Sequence, residues 1–231
     1  MKTIGLIGGL SWESSVEYYR IINESVKDKL GGLHSAQCLL FSFDFAEIET
    51  LQMAGDWEKA TYRMIHAARQ LERGGADGLI ICSNTMHLMA EDVQNAVDIP
   101  LIHIADATAE AIKAKGIHRI ALLGTRFTME QDFYKGRLQE DHQLEVLIPD
   151  AEDRAIVHRI IYEELVLGII KEESRQAYQQ VIEKLVKQGA QGVILGCTEI
   201  GLLIKPEHSP VPTFDTTELH AIAAVDWALE S

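Results

Sequence analysis

The sequence predicts an α/β protein of two similar, pseudo-twofold-related domains, each a mostly parallel sheet flanked by helices. Three observations predict this class. Short apolar β-rich runs alternate with amphipathic helical stretches along nearly the whole chain, as in a sheet covered on both faces. The segment Gly-Ala-Asp-Gly-Leu-Ile-Ile-Cys, ending at Cys82, returns as Gly-Ala-Gln-Gly-Val-Ile-Leu-Gly-Cys, ending at Cys197. Ile4-Gly5-Leu6-Ile7-Gly8-Gly9 returns as Ile120-Ala121-Leu122-Leu123-Gly124-Thr125. The two echoes are offset by 116 residues (Ile4 to Ile120) and 115 residues (Cys82 to Cys197), which marks a duplicated unit with one cysteine in each copy.

The elements follow in order. A strand is expected over residues 3–7, then a Gly-rich turn and a helix over 13–29. Ser14 and Glu17 form a capping-box pattern near that helix start, and Val16, Tyr19, Ile22 and Val26 recur at helical spacing. Next come a strand over 38–43, a helix over 57–73, a strand over 79–82 and a helix over 86–96. Pro100 opens a further strand to 104. The second copy begins near residue 117, with strands over 119–123, 145–148 and 192–195 and helices over 129–140, 153–167 and 174–188. A last helix, 217–229, has no counterpart inside the second copy and is expected to return to the first domain. The expected domains are therefore 1–104 plus 213–231, and 105–212.

Composition narrows the function classes. The chain has 231 residues, 47% of them hydrophobic, and a net charge of −14. Without a basic cluster, a nucleic-acid partner is not expected. No apolar run approaches the ~20 residues of a membrane span. Met1-Lys2-Thr3 leads straight into a strand pattern, so no signal peptide is expected. Three cysteines, an odd number without disulfide spacing, fit free thiols in a reducing cytoplasm.

In a parallel α/β sheet ligands bind outside the carboxyl ends of the strands, and both Cys82 and Cys197 fall at such ends. A small hydroxyl residue follows each, Ser83 or Thr198. Each is expected near a helix amino terminus, where backbone N–H groups lower a thiol pKa. A lone cysteine there is ordinarily a small core residue; a matched pair in a repeat argues for function. A pseudo-twofold arrangement would bring the thiols to opposite sides of one small molecule, suiting removal of a proton from one face of a carbon and its return to the other. Cys38, without a partner in the second copy, is read as core.

Metal is not expected. Cys82 and His87 are five residues apart, His220 and Asp215 lie elsewhere, and no Cys-x-x-Cys or His-x-x-x-His pattern accompanies them. His87 is read as a hydrogen-bonding neighbour of the cysteine turn or a helix-face residue. Gly5-Leu6-Ile7-Gly8-Gly9 lacks the G-x-G-x-x-G dinucleotide spacing. It is read as an anion-binding turn, with Ser11 and the N–H groups after Gly9 holding a carboxylate, or as a structural tight turn.

Gly8-Gly9-Leu10-Ser11-Trp12-Glu13-Ser14, Cys82-Ser83-Asn84-Thr85-Met86-His87 and Gly196-Cys197-Thr198-Glu199 resemble the aspartate/glutamate racemase family, in particular its bacterial Gly-Gly-x-Ser-Trp-Glu members, described as aspartate/glutamate or broad-specificity amino-acid racemases. The resemblance runs over the whole chain. It implies racemisation without pyridoxal phosphate, metal or other cofactor, two similar α/β domains, and a homodimer. It implies Cys82 and Cys197 as the two acid–base groups, Cys82 acting on the D-isomer and Cys197 on the L-isomer. Asn84, Thr85 and Thr198 would hold the α-carboxylate, with Leu10 and Ser11 in the first motif also at the substrate. Ser83 and Glu199 would orient the amino group or the thiols.

Side-chain selectivity departs from the family. Some aspartate racemases place an Arg in the loop after the second strand; here residues 44–52 contain no basic residue, and Gln52 is left as a neutral donor. The family's second-domain Lys is matched by Lys171. Two alternatives stay open: a related enzyme, such as a hydantoin racemase or a decarboxylase or isomerase of small dicarboxylic acids, and a catalytically silent amino-acid sensor.

Overall fold

The structure, a computed structural model, describes Met1–Glu230. In chain order it runs β1 (Ile4–Gly8), α1 (Trp12–Leu30), β2 (Cys38–Ser42), α2 (Phe45–Ala54), α3 (Trp57–Arg73), β3 (Gly78–Ile81), α4 (Ala90–Gln94) and α5 (Ile104–Ala114). It continues through β4 (Arg119–Gly124), α6 (Arg126–Glu130), α7 (Asp132–Glu140), β5 (Glu145–Leu147), α8 (Ala151–Glu163), α9 (Glu172–Lys187), β6 (Val193–Gly196), α10 (Ile200–Leu203), β7 (Thr213–Asp215) and α11 (Thr216–Leu229). The protein is α/β, with helices flanking two parallel sheets. Two compact units form: Met1–Ile104 with the residues from His220 onward, and Ala105–Leu219.

In the first unit the strand order is β2-β1-β3, all parallel. Every residue of β1 and β3 is buried, which is why both read as continuous apolar runs rather than alternating ones. One face packs Ile4, Leu6 and Ile80 with Tyr18, Ile22 and Val26 of α1 and Ala221, Ala224 and Val225 of α11. The opposite face packs Ile7, Leu79 and Ile81 with Ala60, Met64 and Ala67 of α3.

In the second unit the order is β5-β4-β6-β7, again parallel. Ala121, Leu123, Val193 and Leu195 pack with Val157 and Ile160 of α8 and Tyr178, Val181 and Ile182 of α9. The order β5-β4-β6 repeats β2-β1-β3, so the two sequence echoes occupy equivalent strands.

Several local expectations are corrected. Ser11, not Ser14, caps α1, accepting from the Ser14 N–H. The buried stripe of α1 is Ser14, Ser15, Tyr18, Ile22 and Val26, while Val16 and Tyr19 face solvent; the serines hydrogen-bond to the strand-end turn and so take the inner face. Residues 44–52, read as a loop, lie almost wholly in α2, Phe45–Ala54, capped by Asp44. The strand expected after Pro100 is a single bridge, Leu79↔Leu101, because α5 begins at Ile104 and cuts it short.

That unexpected α5 is the sequence counterpart of α11: each follows the last parallel pairing of its copy. The two are exchanged, α5 lying in the second unit and α11 from His220 onward in the first. The chain leaves the second unit later than residue 212, since β7 pairs with β6. Cys38 is half-buried at the edge of the first core.

Candidate active site

Cys82 is the first residue beyond β3. Its N–H donates to the Ile7 carbonyl at 2.9 Å, so it stands level with Gly8, and its own carbonyl accepts from Ser14 Oγ at 3.2 Å. Gly9 makes this possible: its φ is +70°, and a Cβ there would lie 2.3 Å from the Phe43 backbone, a conformation and clearance only glycine satisfies. Its N–H donates to Ser15 Oγ, whose hydroxyl donates to the Ser11 carbonyl. The Gly9–Ser11 turn, the start of α1 and the cysteine are thus tied into one assembly. Ser11 is buried as the helix cap, and Leu10 packs into the core with Ile81 and Met86.

The residues after Cys82 fold into a short 3-10 turn, Thr85–Met89, that leads into α4, Ala90–Gln94, so only the second part of the helix expected over 86–96 is α-helical. Ser83 Oγ accepts from the Met86 N–H, and Asn84 and Thr85 are buried. Gln52, buried on α2, donates to Met86 Sδ at 3.1 Å. Gln52 and Leu10 thus both reach Met86 of this turn, while Ser11 caps α1.

His87 closes the turn. Its Nε2 accepts from the Ile104 N–H at 3.3 Å, and its Nδ1 lies 2.7 Å from the Ser83 carbonyl. An acceptor role for Nε2 and a carbonyl at Nδ1 together specify the neutral ring with its proton on Nδ1. His103 and His220 stack edge-on against it at 4.6 and 5.6 Å, and His220 is held by Tyr18 and the Ile102 carbonyl. The sequence offered only isolated histidines here; their clustering arises from α11 packing back on β1.

In the second unit β6 ends at Gly196, paired with Gly124, so Cys197 stands level with Thr125, one residue further along than Cys82. The thiol donates to Glu199 Oε2 at 2.9 Å, and Thr198 Oγ1 donates to the same oxygen at 2.7 Å. Glu199 is buried. Tyr178 of α9 lies beside this pair and donates to the Val157 carbonyl.

Lys171, just before α9, sits 3.2 Å from Glu164 Oε1, and Ser174 Oγ donates to Glu164 Oε2 at 2.5 Å. Neither Glu164 nor Ser174 was singled out in the sequence: a Glu and a Ser ten residues apart carry no signal until the turn between α8 and α9 brings them together. Lys171 itself is half-exposed.

The expectation of lowered thiol pKa values is overturned. Burial pushes the Cys82 thiol far up. Burial, then the charge and hydrogen bond of Glu199, push Cys197 well above the ordinary thiol value, against smaller opposing contributions from the Glu199 and Thr198 backbones. The helices expected after the cysteines are a 3-10 turn and the four-residue α10; too few aligned peptides stand there to offset lost hydration.

No group of three or more His, Cys, Asp or Glu among the described residues is arranged to hold a metal ion. Nor, among those residues, is any helix long and apolar enough to cross a membrane.

The profile of the Asp/Glu/hydantoin racemase family matches residues 7–224. The chain belongs to this family. It is 58% identical to a Yersinia pestis protein described from its crystal structure as a candidate Asp/Glu racemase, with full coverage of both chains and a TM-score of 0.93. An aspartate racemase homologue from Pyrococcus horikoshii OT3 is 37% identical, again over 100% of both chains, with a TM-score of 0.86. The broad specificity amino-acid racemase RacX of Bacillus subtilis (strain 168) is 26% identical over 174 residues, 74% of this chain and 73% of RacX. The protein is thus an isomerase of the racemase class.

Proposed function

We propose that the protein racemises α-amino acids without a cofactor, Cys82 and Cys197 serving as the two acid–base groups. The observation that carries the reading is the pair of buried thiols at the carboxyl ends of equivalent strands, β3 and β6, one of them hydrogen-bonded to a carboxylate.

The reading assigns one thiol to each face of the α-carbon. One sulfur, as thiolate, takes the α-proton: the Cα–H bond breaks, an S–H bond forms, and the pair stays on carbon. The other thiol gives its proton to the opposite face, and its S–H pair becomes the new thiolate. The enzyme returns to its starting state when the first sulfur loses its proton and the second regains one, by exchange with solvent between turnovers. By family resemblance Cys82 serves the D-isomer and Cys197 the L-isomer.

Chemistry and environment support this division. An α-proton is very weakly acidic, so a useful base must be strong once formed, and a thiolate deprived of water is stronger than a hydrated one. Glu199 is placed to receive the Cys197 proton. The substrate's ammonium group would compensate the new negative charge on sulfur. Asn84, Thr85 and Thr198 are assigned to the α-carboxylate, Ser83 to the amino group, and Leu10, Ser11, Gln52 and Lys171 to the rest of the substrate.

A catalytically silent amino-acid sensor is the second reading, favoured by the burial of both thiols, which pushes their pKa values up. Slow alkylation at neutral pH does not separate the two readings, since raised thiol pKa values predict it for both. Proton NMR of the cofactor-free protein in D₂O, with a panel of L-amino acids and chiral chromatography, does separate them. Loss of the α-proton signal with growth of the D-isomer is expected. Binding without exchange would establish the sensor, and release of carbon dioxide a decarboxylase. We further propose a cytoplasmic homodimer, to be checked by fractionation and by light scattering of the purified protein.

A further inference from the structure

The main chain around Cys82 has one carbonyl that the sheet cannot serve. β3 ends at Ile81. The Cys82 N–H still reaches the Ile7 carbonyl, the Cys82 carbonyl accepts from Ser14 Oγ, and the Ser83 N–H folds back onto the Ile81 carbonyl at 2.8 Å. The Ser83 carbonyl lies past the last strand pairing and needs a partner from elsewhere. His87 Nδ1 stands 2.7 Å from it. A carbonyl only accepts, so Nδ1 carries a proton there.

The other side of that ring is braced on a fixed frame. Nε2 accepts from the Ile104 N–H at 3.3 Å, and Ile104 is fully buried, so water does not compete for this N–H. The segment leading to Ile104 is itself tied down. The Ile102 N–H donates to the Leu79 carbonyl at 2.9 Å, and the Ile102 carbonyl accepts from His220 Nε2 at 2.8 Å. With Nε2 donating, a neutral His220 accepts at Nδ1 from the Tyr18 hydroxyl, 2.8 Å away. The two rings thus carry their protons on opposite nitrogens, and between them they hold the main chain on either side of His103. Edge-on contacts with His103 and His220 restrict the His87 ring further.

An acid or base works only in a narrow range of distance and direction, and a displacement of about 1 Å can cost about a hundredfold in rate. The Cys82 side chain leaves the main chain one residue before the tethered carbonyl. A free Ser83 carbonyl would let the peptides on both sides of Ser83 turn, and the thiol would turn with them.

We infer that His87 is a positioning residue for Cys82: its Nδ1–H, braced through Nε2 on Ile104, holds the Ser83 carbonyl and with it the direction of the thiol. The inference rests on the racemase reading for what the thiol does, though not for how the turn is held.

The test separates the two ends of the ring. Asparagine can place an N–H where Nδ1 stands but does not reach Ile104. Glutamine can place an acceptor where Nε2 stands but leaves the Ser83 carbonyl untied. With the amino acid that wild type turns over fastest, kcat/KM should stay within about threefold in H87N and fall at least about tenfold in H87Q and H87A, circular dichroism being unchanged in all three. Hydrogen exchange at the Cys82 and Ser83 amides, followed by NMR, should quicken about tenfold in H87Q and H87A and hold steady in H87N. A merely structural role would not tell asparagine from glutamine, so H87Q matching H87N in both readouts overturns the inference, as does H87A matching wild type. If the variants do not fold, nitrogen NMR of wild type decides: a His87 proton on Nδ1 alone supports the inference, and a proton on Nε2 overturns it. Should wild type exchange the α-proton of no amino acid, the racemase reading fails, and the amide-exchange series still decides by the same criteria whether His87 holds the turn.

Discussion

The two cysteine turns descend from one repeated pattern yet present their thiols in different ways. Cys82 packs among Ile4, Leu6 and Ile80 on the α1 face of its sheet, level with Gly8. Cys197 packs among Leu123, Leu195 and Tyr178 on the α8–α9 face, level with Thr125. Strand register explains this: Ile81 and Leu195, paired with the equivalent residues Ile7 and Leu123, are 114 residues apart, whereas the cysteines are 115 apart, and in a strand a shift of one residue exchanges faces. Cys82 is surrounded by apolar groups and a carbonyl tether, whereas Cys197 has a carboxylate 2.9 Å from its sulfur. By strand register the position in the first unit that matches Cys197 is Ser83, level with Gly9, and Cys82 stands one residue earlier among apolar side chains.

The sharpest way to break this comparison is to remove each sulfur in turn. C82A and C197A should each lower racemisation by at least about a hundredfold, in the range of a lost general acid or base, with circular dichroism unchanged. Retained turnover in either variant would sink the two-base reading.

E199Q isolates the second turn. Without the carboxylate charge the Cys197 pKa should fall, visible as thiolate absorbance appearing at lower pH, while kcat drops by about a hundredfold because the proton acceptor is gone. A Cys197 titration that does not move would show that this charge does not govern the thiol.

Equivalent positions in the two turns should respond unequally to alanine. Gly9→Ala puts a Cβ into the Phe43 backbone at positive φ, and unfolding in urea should reveal a loss of more than about 2 kcal/mol. Thr125→Ala removes only the cap that accepts the Thr128 N–H at the start of α6, about 1 kcal/mol. Equal losses would mean that the close approach at Gly9 is readily relaxed.

The smallest effect is on stability against pH. A thiol whose folded pKa lies above its unfolded value stabilises fully below about pH 8.5 and progressively less as pH rises toward the folded value. Wild type should therefore lose stability between about pH 8 and about pH 10, and C82A should lose less over the same interval. Parallel curves would contradict the burial argument for Cys82.

Much of the architecture was legible because β1, β3 and β6 are buried on both faces and read as unbroken apolar runs bounded by glycine. The site was legible for the same reason: in a parallel sheet a cysteine at a strand's carboxyl end has a known location before its neighbours are known. Where reading failed, a local pattern competed with a tertiary partner. Val16 and Tyr19 have the spacing of a core stripe, but the serines of α1 bind the Gly9 turn and rotate the buried face toward Ser14 and Ser15. The run from Leu101 to Ile104 has strand composition, but only Leu101 finds a partner before α5 starts. Glu164 and Ser174 carry no motif.

The sequence by itself determined the repeated α/β units, the parallel sheets implied by their alternation, and the two thiols at strand ends, because these follow from hydrophobic pattern and covalent spacing. The tertiary structure decided the rest. It exchanged α5 and α11 between the units, packed each cysteine on its own face, raised both thiol pKa values by desolvation, and set Glu199 against one thiol and Glu164 against Lys171. Those outcomes depend on which distant groups exclude water from a charge, and no periodicity along the chain records that.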